Sequence, residues 1–506
     1  MKLTSSSQMR EVDRHVIEDL GVPGTKLMYT AARHVSDAAL ELRSDGHVAV
    51  FCGTGNNGGD GIGAAANLLQ SGVHARVFLI GDPDKLTPDS VEMLELLKSH
   101  GGTLEIFNET TDIENFLQDC NVIIDAIFGI GLNSEIRGDA LAAIETINAS
   151  NARTIAADIP SGVCADTGRI LGLAVDADVT VTFSLPKAGH FLEPGCTHCG
   201  DIRVCDIGIP LDLLQDLQPY ANAVVSGDIT LPRRQPCTHK GDYGRCLIVT
   251  GSVGYTGAPV LCARAASRMG AGLVHVGVPE AVYDIMAVKL DEEMPHPLPG
   301  DGHGKLSKTA ADEIISRAAE CDALLIGPGL SQSADITEVV SSVLKSVTIP
   351  VILDADGINA IAGNIDILDE AACPVILTPH PGEFARIGGD ISSGGRLGAA
   401  RKFAEAHKCI VVLKGHRTIT ALPDGSAYIN TTGGPAMAKG GSGDVLAGMT
   451  AALVGQKFPL QDSTLAAVYI HGLAGDMCAE EYGDYSVTAS DIINMLSKAT
   501  KQVMER

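Results

Sequence analysis

Apolar positions recur at spacings of three and four from Met9 to Leu20 and again from Leu27 to Leu42, the period of a helix with one buried face. After Leu42 the period changes. Short apolar runs, HVAVF, ARVFLIG, NVIIDAIFG, RTIAADIP and ADVTVTF, alternate with amphipathic stretches, and IRVCDIGIP closes the series. Such runs, separated by helical text, predict the strands of a doubly wound, mostly parallel sheet. From about Pro210 to Lys240 the text is irregular, with prolines and glycines in polar surroundings. A second series follows: RCLIVTGS, GLVHVGVP, DALLIGPG, IPVILDADG, CPVILTPHPG and CIVVLKG. The pattern therefore predicts two α/β/α domains, over residues 1–215 and 222–506. No fixed-period repeat or low-complexity tract appears, and the glycine loops of the two halves fall at opposite ends, so the domains are of different kinds.

Composition agrees with this layout and narrows the partners. A chain of 506 residues is too long for one ordinary core. The 57 glycines, the 4% aromatic content and the absence of Trp suit tight loops joining short buried strands. Against 37 basic residues stand 62 acidic ones, and the net charge of -25 repels nucleic-acid backbones and anionic membrane surfaces. An anionic ligand would then need local donors, such as backbone N–H groups at a helix start. The first residues carry no apolar leader, and no run approaches membrane-spanning length. The 13 cysteines, many inside apolar runs, suit buried thiols in a reducing compartment, so a cytoplasmic protein is expected. Cys196, His198, Cys199 and Cys205 in GCTHCGDIRVC could ligate zinc, but no second knuckle follows and they read as loop and strand residues.

Three strand ends of the first series carry polar chemistry. Ligands of open parallel sheets gather beyond the carboxyl ends of the strands. HVAVF leaves into CGTGNNGGDG, NVII leaves through Asp125 into FGIGLNSE, and RTIAA leaves through Asp158 into IPSG. The glycines let backbone approach a phosphate, while Asn57, Asp60, Asp125, Asp158 and Ser161 add oxygen ligands or proton acceptors. Gly53, Gly55 and Gly58 spell G-x-G-x-x-G, and Asp82 ends the next strand where a ribose-binding acid would sit. The continuation Asn-Asn-Gly-Gly-Asp presents polar side chains at that loop, which fits a site that acts on its ligand. Asp125 and Asp158, at adjacent exits, would repel without a cation between them; as mere caps of loops or helices they would carry no chemistry.

CGTGNNGGDGIGAA, DAIFGIGL and DIPSG together resemble the NAD(P)H-hydrate epimerase family, over about Met9 to Pro210. The resemblance implies a Rossmann-like domain that binds hydrated, damaged NADH or NADPH and inverts the hydroxyl-bearing C6 centre. By matching position it implies dinucleotide contacts from Asn56, Asn57, Gly58, Gly59 and Asp60, and from Gly129, Ile130, Gly131, Leu132, Asn133, Ser134 and Glu135. It also implies that Asp158 is the catalytic carboxylate and that Asn57, Asp125 and Ser161 surround K+, an ion suited to hard oxygen ligands. Two positions depart from the family pattern: Cys164 replaces an acid, and Ile130 replaces a common Thr.

In the second series NTTGGPAMAKGGSGDVLAGMTAALV runs Gly440, Gly441, Ser442 and Gly443 straight into a long apolar helix. Such an N-terminus makes an anion hole. Asp444 beside it can take a proton from a hydroxyl that attacks a phosphoryl group, or can simply be a first-turn acid favoured by the helix dipole. No G-x-x-x-x-G-K-[ST] occurs, so the logic is that of ribokinase-like phosphoryl transfer rather than a P-loop. With KGDYGRCLIVTGSVGYTGAPV, IGPGL, DADGIN, LTPHPGEFARI and KGHRT in this order, the half resembles the ADP-dependent NAD(P)H-hydrate dehydratase family over about Lys240 to Leu496. That implies contacts to the hydrated dinucleotide from Ala258, Gly329, His380 and Asp444. The adenine nucleotide, with Mg2+, would meet Lys414, Gly415, His416, Arg417 and Thr418, and Gly434 and Gly440 to Gly443. His416 stands where small residues are common. The implied chemistry phosphorylates the C6 hydroxyl and then eliminates phosphate to restore the C5–C6 double bond.

Together the halves imply a bifunctional nicotinamide-nucleotide repair enzyme, isomerase and lyase, acting on small molecules, using ADP and forming AMP and phosphate. A homo-oligomer, tetramer or larger, goes with that expectation. Three rivals stand beside it. A ribokinase-like vitamin or thiazole kinase would leave its product phosphorylated, a non-catalytic first domain would only sense dinucleotide, and an oxidoreductase would need a substrate pocket that nothing after Asp82 supplies.

Overall fold

The computed structural model describes residues 1–505 except 109, 112 and 393, and residue 114 without its side chain. The chain divides into two compact units, residues 2–221 and the residues from Asn222 onward.

The first unit is built on a 7-stranded sheet. Its strands are β1 (His47–Cys52), β2 (Ala75–Leu79), β3 (Leu104–Ile106), β4 (Cys120–Ala126), β5 (Arg153–Ala157), β6 (Val179–Phe183) and β7 (Asp201–Cys205). They run in the order β3-β2-β1-β4-β5-β6-β7, every neighbouring pair parallel. Both faces are covered, which is why the strands read as unbroken apolar runs. Val48, Val50, Ile124 and Ile155 are buried under helices α2 (Gly24–Leu42) and α3 (Asn56–Gln70), and Phe51, Phe78 and Ile123 pack with Ile144 on the other face. Strand order reverses between β1 and β4, the place where a doubly wound sheet opens a crevice. The helix expected over Met9–Leu20 starts earlier, as α1 (Ser6–Arg14), capped by a reciprocal Ser5–Gln8 box, and widens into a π-type turn over His15–Asp19.

The glycine-rich stretch differs from the sequence expectation. Asn56 to Asp60 are not loop residues: α3 already begins at Asn56, so their polar side chains occupy its first turns. A Cβ on Gly53 would stand 2.1 Å from the Ile127 carbonyl oxygen, and one on Gly58 1.8 Å from that of Gly53. Those two glycines are required by backbone packing between β1, β4 and α3, whatever ligand binds. Asp82 lies beyond the end of β2, exposed, where its carboxylate accepts from the Asp84 amide.

The second unit carries β8 (Ala221–Val224), β9 (Arg245–Val249), β10 (Leu273–Pro279), β11 (Met294–Leu298), β12 (Ala323–Ile326), β13 (Val351–Leu353), β14 (Val375–Leu377), β15 (Ile410–Leu413), β16 (Ile419–Ala421) and β17 (Ala427–Asn430). They follow the order β8-β17-β16-β15-β14-β13-β12-β9-β10-β11. Only the pairs made by β16 are antiparallel. Helices α5 (Gly257–Arg268), α7 (Ser442–Gly455) and α8 (Leu460–Tyr482) bury one face around Ile248, Leu325 and Ile352. Alternate residues such as Leu324 and Ile326 point to the other face and are equally buried. The carboxyl ends of β12, β13, β14 and β15 lie side by side and deliver Gly329, Asp354, His380 and Lys414 to one edge of the sheet.

Helices α5 and α7 meet almost backbone to backbone, because a Cβ on Gly448 would stand 2.1 Å from the Cys262 carbonyl oxygen. Gly448→Ala is expected to lower the stability of this unit by about 1–3 kcal/mol through overpacking, despite the roughly 1 kcal/mol better helix propensity of alanine. A urea midpoint at or above that of the parent protein would contradict this packing.

Candidate active sites

At the switch point of the first sheet lies a cavity of about 740 Å³, within the range of small-molecule sites. Its wall takes Asn56, Asn57 and Asp60 from α3, Gly129 to Ser134 from the loop after β4, and Asp158 from the end of β5. Of the dinucleotide contacts expected from sequence, Gly58, Gly59 and Glu135 do not line it: the glycines are buried in α3, and Glu135 is exposed and paired to Arg137 at 2.9 Å.

Asp158 sits at φ 65, a left-handed conformation that a non-glycine residue adopts at a cost. What holds it there is a buried network that the sequence reading missed. The Lys187 ammonium, 2% exposed, donates to Asp158 Oδ1 at 2.5 Å and to Thr182 Oγ1 at 3.0 Å, and Thr182 donates to the same carboxylate oxygen at 3.1 Å. His190 Nδ1 accepts from the Lys187 amide, which leaves Nε2–H to donate to the Asp158 carbonyl at 2.9 Å. Burial would raise the Asp158 carboxyl, but the Lys187 charge and these hydrogen bonds hold it below the ordinary range. Burial also pushes His190 down to about 4, so its ring is neutral. Two further carboxyls face the same space. Asp60 is raised well above its usual value by burial, then by Asp158 and Asp13, and Asp13 is raised to about 6 by burial, with Asp158 adding and Lys187 opposing.

Asp125 is fully buried and satisfied by the protein, its carboxylate accepting from the Ser161 amide at 2.7 Å, the Ser161 hydroxyl at 2.6 Å and the Ile127 amide at 3.2 Å. Burial raises it to about 6, with these hydrogen bonds opposing. The repulsion expected between Asp125 and Asp158 is thus relieved internally, by Lys187 on one acid and by donors on the other. The residues around Asp125 nonetheless fit a hard cation. The Ser161 hydroxyl stands 3.4 Å from the Phe128 carbonyl oxygen, and a Cβ on Gly129 would be 3.1 Å from the Asn57 amide oxygen, so hydroxyl, carbonyl and amide oxygens collect beside the Asp125 carboxylate.

In the second unit the strand ends bring a chain of charges together. Lys414 donates to Asp354 Oδ1 at 2.6 Å and lies 3.8 Å from Glu383 Oε2. Asp354 is buried and also accepts from Thr378 Oγ1 at 2.8 Å. Gly441, at φ 93, turns the chain into α7, and a Cβ on Gly443 would stand 3.5 Å from the Lys414 ammonium and 4.0 Å from Asp354 Oδ2. Asp444, in the first turn of α7, is raised to about 6 by burial, then by Asp354, with Lys414 opposing. His380 is the N-cap of α6 (Pro381–Arg386): its Nδ1 accepts from the Gly382 amide at 3.0 Å and its own amide donates to Glu383 at 2.8 Å. Gly329 approaches α5, where an added Cβ would stand 3.2 Å from Ala258 and 2.9 Å from the exposed Tyr255. Of the expected nucleotide residues, Gly434, His416 and Arg417 lie by Asp476 of α8: Gly434 is against its carboxylate, which also accepts from the Gly433 amide, and Arg417 and His416 act on it electrostatically, whereas Lys414 pairs with Asp354 and Gly440 to Gly443 lead into α7.

Residues 24–189 match the family described as YjeF-related protein N-terminus, and residues 246–498 match the family described as NAD(P)H-hydrate dehydratase. The bifunctional NAD(P)H-hydrate repair enzyme of Moorella thermoacetica is 40% identical over 100% of this chain and 98% of its own. The chain belongs to the bifunctional NAD(P)H-hydrate repair enzyme family. The member from Thermofilum pendens is 37% identical over 100% of this chain and 97% of its own. Among solved structures, the ADP/ATP-dependent NAD(P)H-hydrate dehydratase of Bacillus subtilis, co-crystallized with ATP/Mg2+, aligns with 56% of this chain and 99% of its own at 31% identity, with a TM-score of 0.49.

Within this repair-enzyme chain the GCTHCGDIRVC cluster forms no joint site among the described residues. The Cys199 thiol donates to the Gly195 carbonyl at 3.2 Å, and His198 lies 2.6 Å from Asp176. Lys187, Asp13, Asp354 and Glu383 are among the charged groups at the two sites that sequence reasoning did not single out, with Arg10 and Asp89 at the first cavity and Asp476 in the second unit.

Proposed function

We propose that the protein repairs hydrated NADH and NADPH: the first unit interconverts the R and S hydrates, and the second dehydrates the S hydrate with ADP, giving AMP and phosphate. One observation carries the reading. A chain matched end to end by repair enzymes joins a cavity walled by the Asp158–Lys187 pair to a glycine-rich helix start set beside Asp444, Lys414 and Asp354.

In the second unit Asp444 takes the proton of the C6 hydroxyl as that oxygen attacks the terminal phosphoryl group. The amides at the start of α7 and the Lys414 ammonium, aimed by Asp354 and Thr378, hold the charge that spreads over the phosphoryl oxygens. Phosphate then leaves C6 with its bonding electrons, a proton leaves C5, and the double bond returns. Mg2+ neutralises nucleotide phosphates when bound, and Asp354 Oδ2 offers it a hard oxygen. In the first unit Asn57, Asp125, Ser161 and the Phe128 carbonyl would hold K+. All 13 cysteines are free thiols, nine of them buried, which favours a reducing, cytoplasmic setting.

Purified protein given the S hydrate should regain the dihydronicotinamide absorbance band with ADP, and with ADP plus the R hydrate in K+ buffer. Replacing K+ by choline should slow only the R reaction. No band from the S hydrate with either ADP or ATP would refute the dehydratase reading, and the vitamin-kinase alternative would instead leave a phosphorylated product.

A further inference from the structure

The cavity holds a second carboxyl that no part of the proposed chemistry yet uses. Asp13 lies on α1, outside the segment matched by the family of the first unit. It lines the same cavity as Asp158 and Lys187. Among the described residues its carboxylate has no hydrogen-bond or ion-pair partner, whereas other residues of α1 and of the chain leading into it are tied to neighbouring loops. The Thr4 amide donates to the Pro186 carbonyl at 3.0 Å and the Ala188 amide to the Thr4 carbonyl at 3.2 Å, so the chain entering α1 clasps Lys187 from both sides. Ser6 donates through its amide and hydroxyl to Asp166 Oδ1, and Arg10 donates to the Ile130 carbonyl at 3.1 Å. A rigid helix therefore carries a free carboxyl into the cavity, the arrangement of a working group rather than a solvated one.

We propose that Asp13 and Asp158 are opposed proton-transfer groups that together invert C6. The inference rests on the epimerase reading of this cavity. The C6 carbon bears both the hydroxyl and the ring nitrogen. Asp13 gives its proton to the departing hydroxyl, the C6–O bond breaks with its electrons to oxygen, and water leaves as the nitrogen lone pair forms an N1=C6 iminium. Water then adds to the other face of C6, the iminium electrons return to nitrogen, and Asp158 takes the released proton. Transfer of that proton back to Asp13 through cavity water resets the pair, and the reverse reaction uses the same groups in exchanged roles. Asp158 suits the basic task, since Lys187 keeps it ionised. Asp13 suits the acidic one, since its carboxyl titrates at about 6, near working pH. The charged groups facing the same cavity are Arg10 on the same helix, Asp60 on α3, Asp89 in the first turn of α4 (Pro88–Ser99), Asp158 and Lys187.

One proton on the pair is needed in either direction. R-hydrate turnover in the parent protein should therefore fall as pH rises through about 6. Asp13→Asn should cut kcat for R conversion roughly 100-fold or more with KM changed by less than about threefold, and should erase that pH limb. Asp13→Glu should restore part of the rate, and S-hydrate dehydration by both variants should match the parent. Turnover of Asp13→Asn within about twofold of the parent, a loss carried by KM alone, or an unchanged pH limb would overturn the role of Asp13 while leaving the epimerase reading intact. A parent protein that does not speed R conversion at all would overturn both.

Discussion

Replacing Asp444 by asparagine should lower ADP-dependent dehydration of the S hydrate by roughly 10²–10⁴-fold and leave the interconversion of R and S hydrates unchanged. The amide keeps the size of the side chain but cannot accept the hydroxyl proton, and it adds no charge beside Asp354. Because burial and Asp354 raise the Asp444 carboxyl to about 6, the parent rate should climb as pH rises through that value, the base being active only when deprotonated. A variant that retains most of the parent turnover, or a parent rate that declines over the same rise in pH, would remove Asp444 from the proton step. Folding of the second unit is controlled separately, by a urea midpoint for that unit equal to the parent's, since R conversion reports only on the first unit.

Lys187→Met should be the most damaging change in the first unit, for stability as well as for activity. Lys187 is buried against Asp158, and removing one member of a buried pair costs about 3–5 kcal/mol because the other charge is left uncompensated. The pH dependence follows from the sign of the Asp158 shift. In the parent, its carboxyl is held below the unfolded value, so the pair contributes stability above about pH 4, and that contribution is lost as pH falls through the folded value. In the variant burial is no longer opposed by the Lys187 charge, while the hydrogen bond from Thr182 remains, so the carboxyl rises, and stability falls as pH increases from about 4 toward the new value. The deficit relative to the parent should therefore be larger at about pH 7.5 than at about pH 5, both above the unfolded carboxyl at about 4. Urea unfolding of the first unit at both pH values measures it. Lys187→Met with Asp158→Leu should recover most of the stability and none of the R conversion. An equal deficit at both pH values, or a double variant no steadier than the single one, would show that the pair is not what holds this wall.

The extent to which these sites could be read in advance depends on how far apart along the chain their parts lie. The β1–α3 glycines, Asp125, Ser161 and Asp158 follow apolar runs directly, so strand ends point to them, and the cavity forms where those ends meet. Lys187 gave no such signal. A single lysine after Pro186 reads as a surface residue, because lysine is almost never fully buried without a partner, and its partner lies 29 positions earlier. Asp13 looked like one more polar position of an amphipathic helix; only the clasp of Thr4 about Lys187 turns that face into the cavity. Asp354 and Glu383 stood inside quoted motifs, DADGIN and TPHPGE, yet their tasks, aiming Lys414 and bracing His380, exist only when parallel strands bring separate loops to one edge. The Asn-Asn-Gly-Gly-Asp run misled in the opposite way. Its glycines suggested a loop, whereas the helix had already begun and needed them for close packing.

The near contact of Gly448 with the Cys262 carbonyl reaches beyond stability. Side chains between two helices usually act as bearings, changing rotamer as the helices slide. Between α5 and α7 that cushion is missing at Gly448, and about two turns earlier Leu261 abuts Gly441. With no side chain to repack there, a shift of α7 at Gly448 is passed to α5 at Cys262 with little slack, so the two helices move together or not at all.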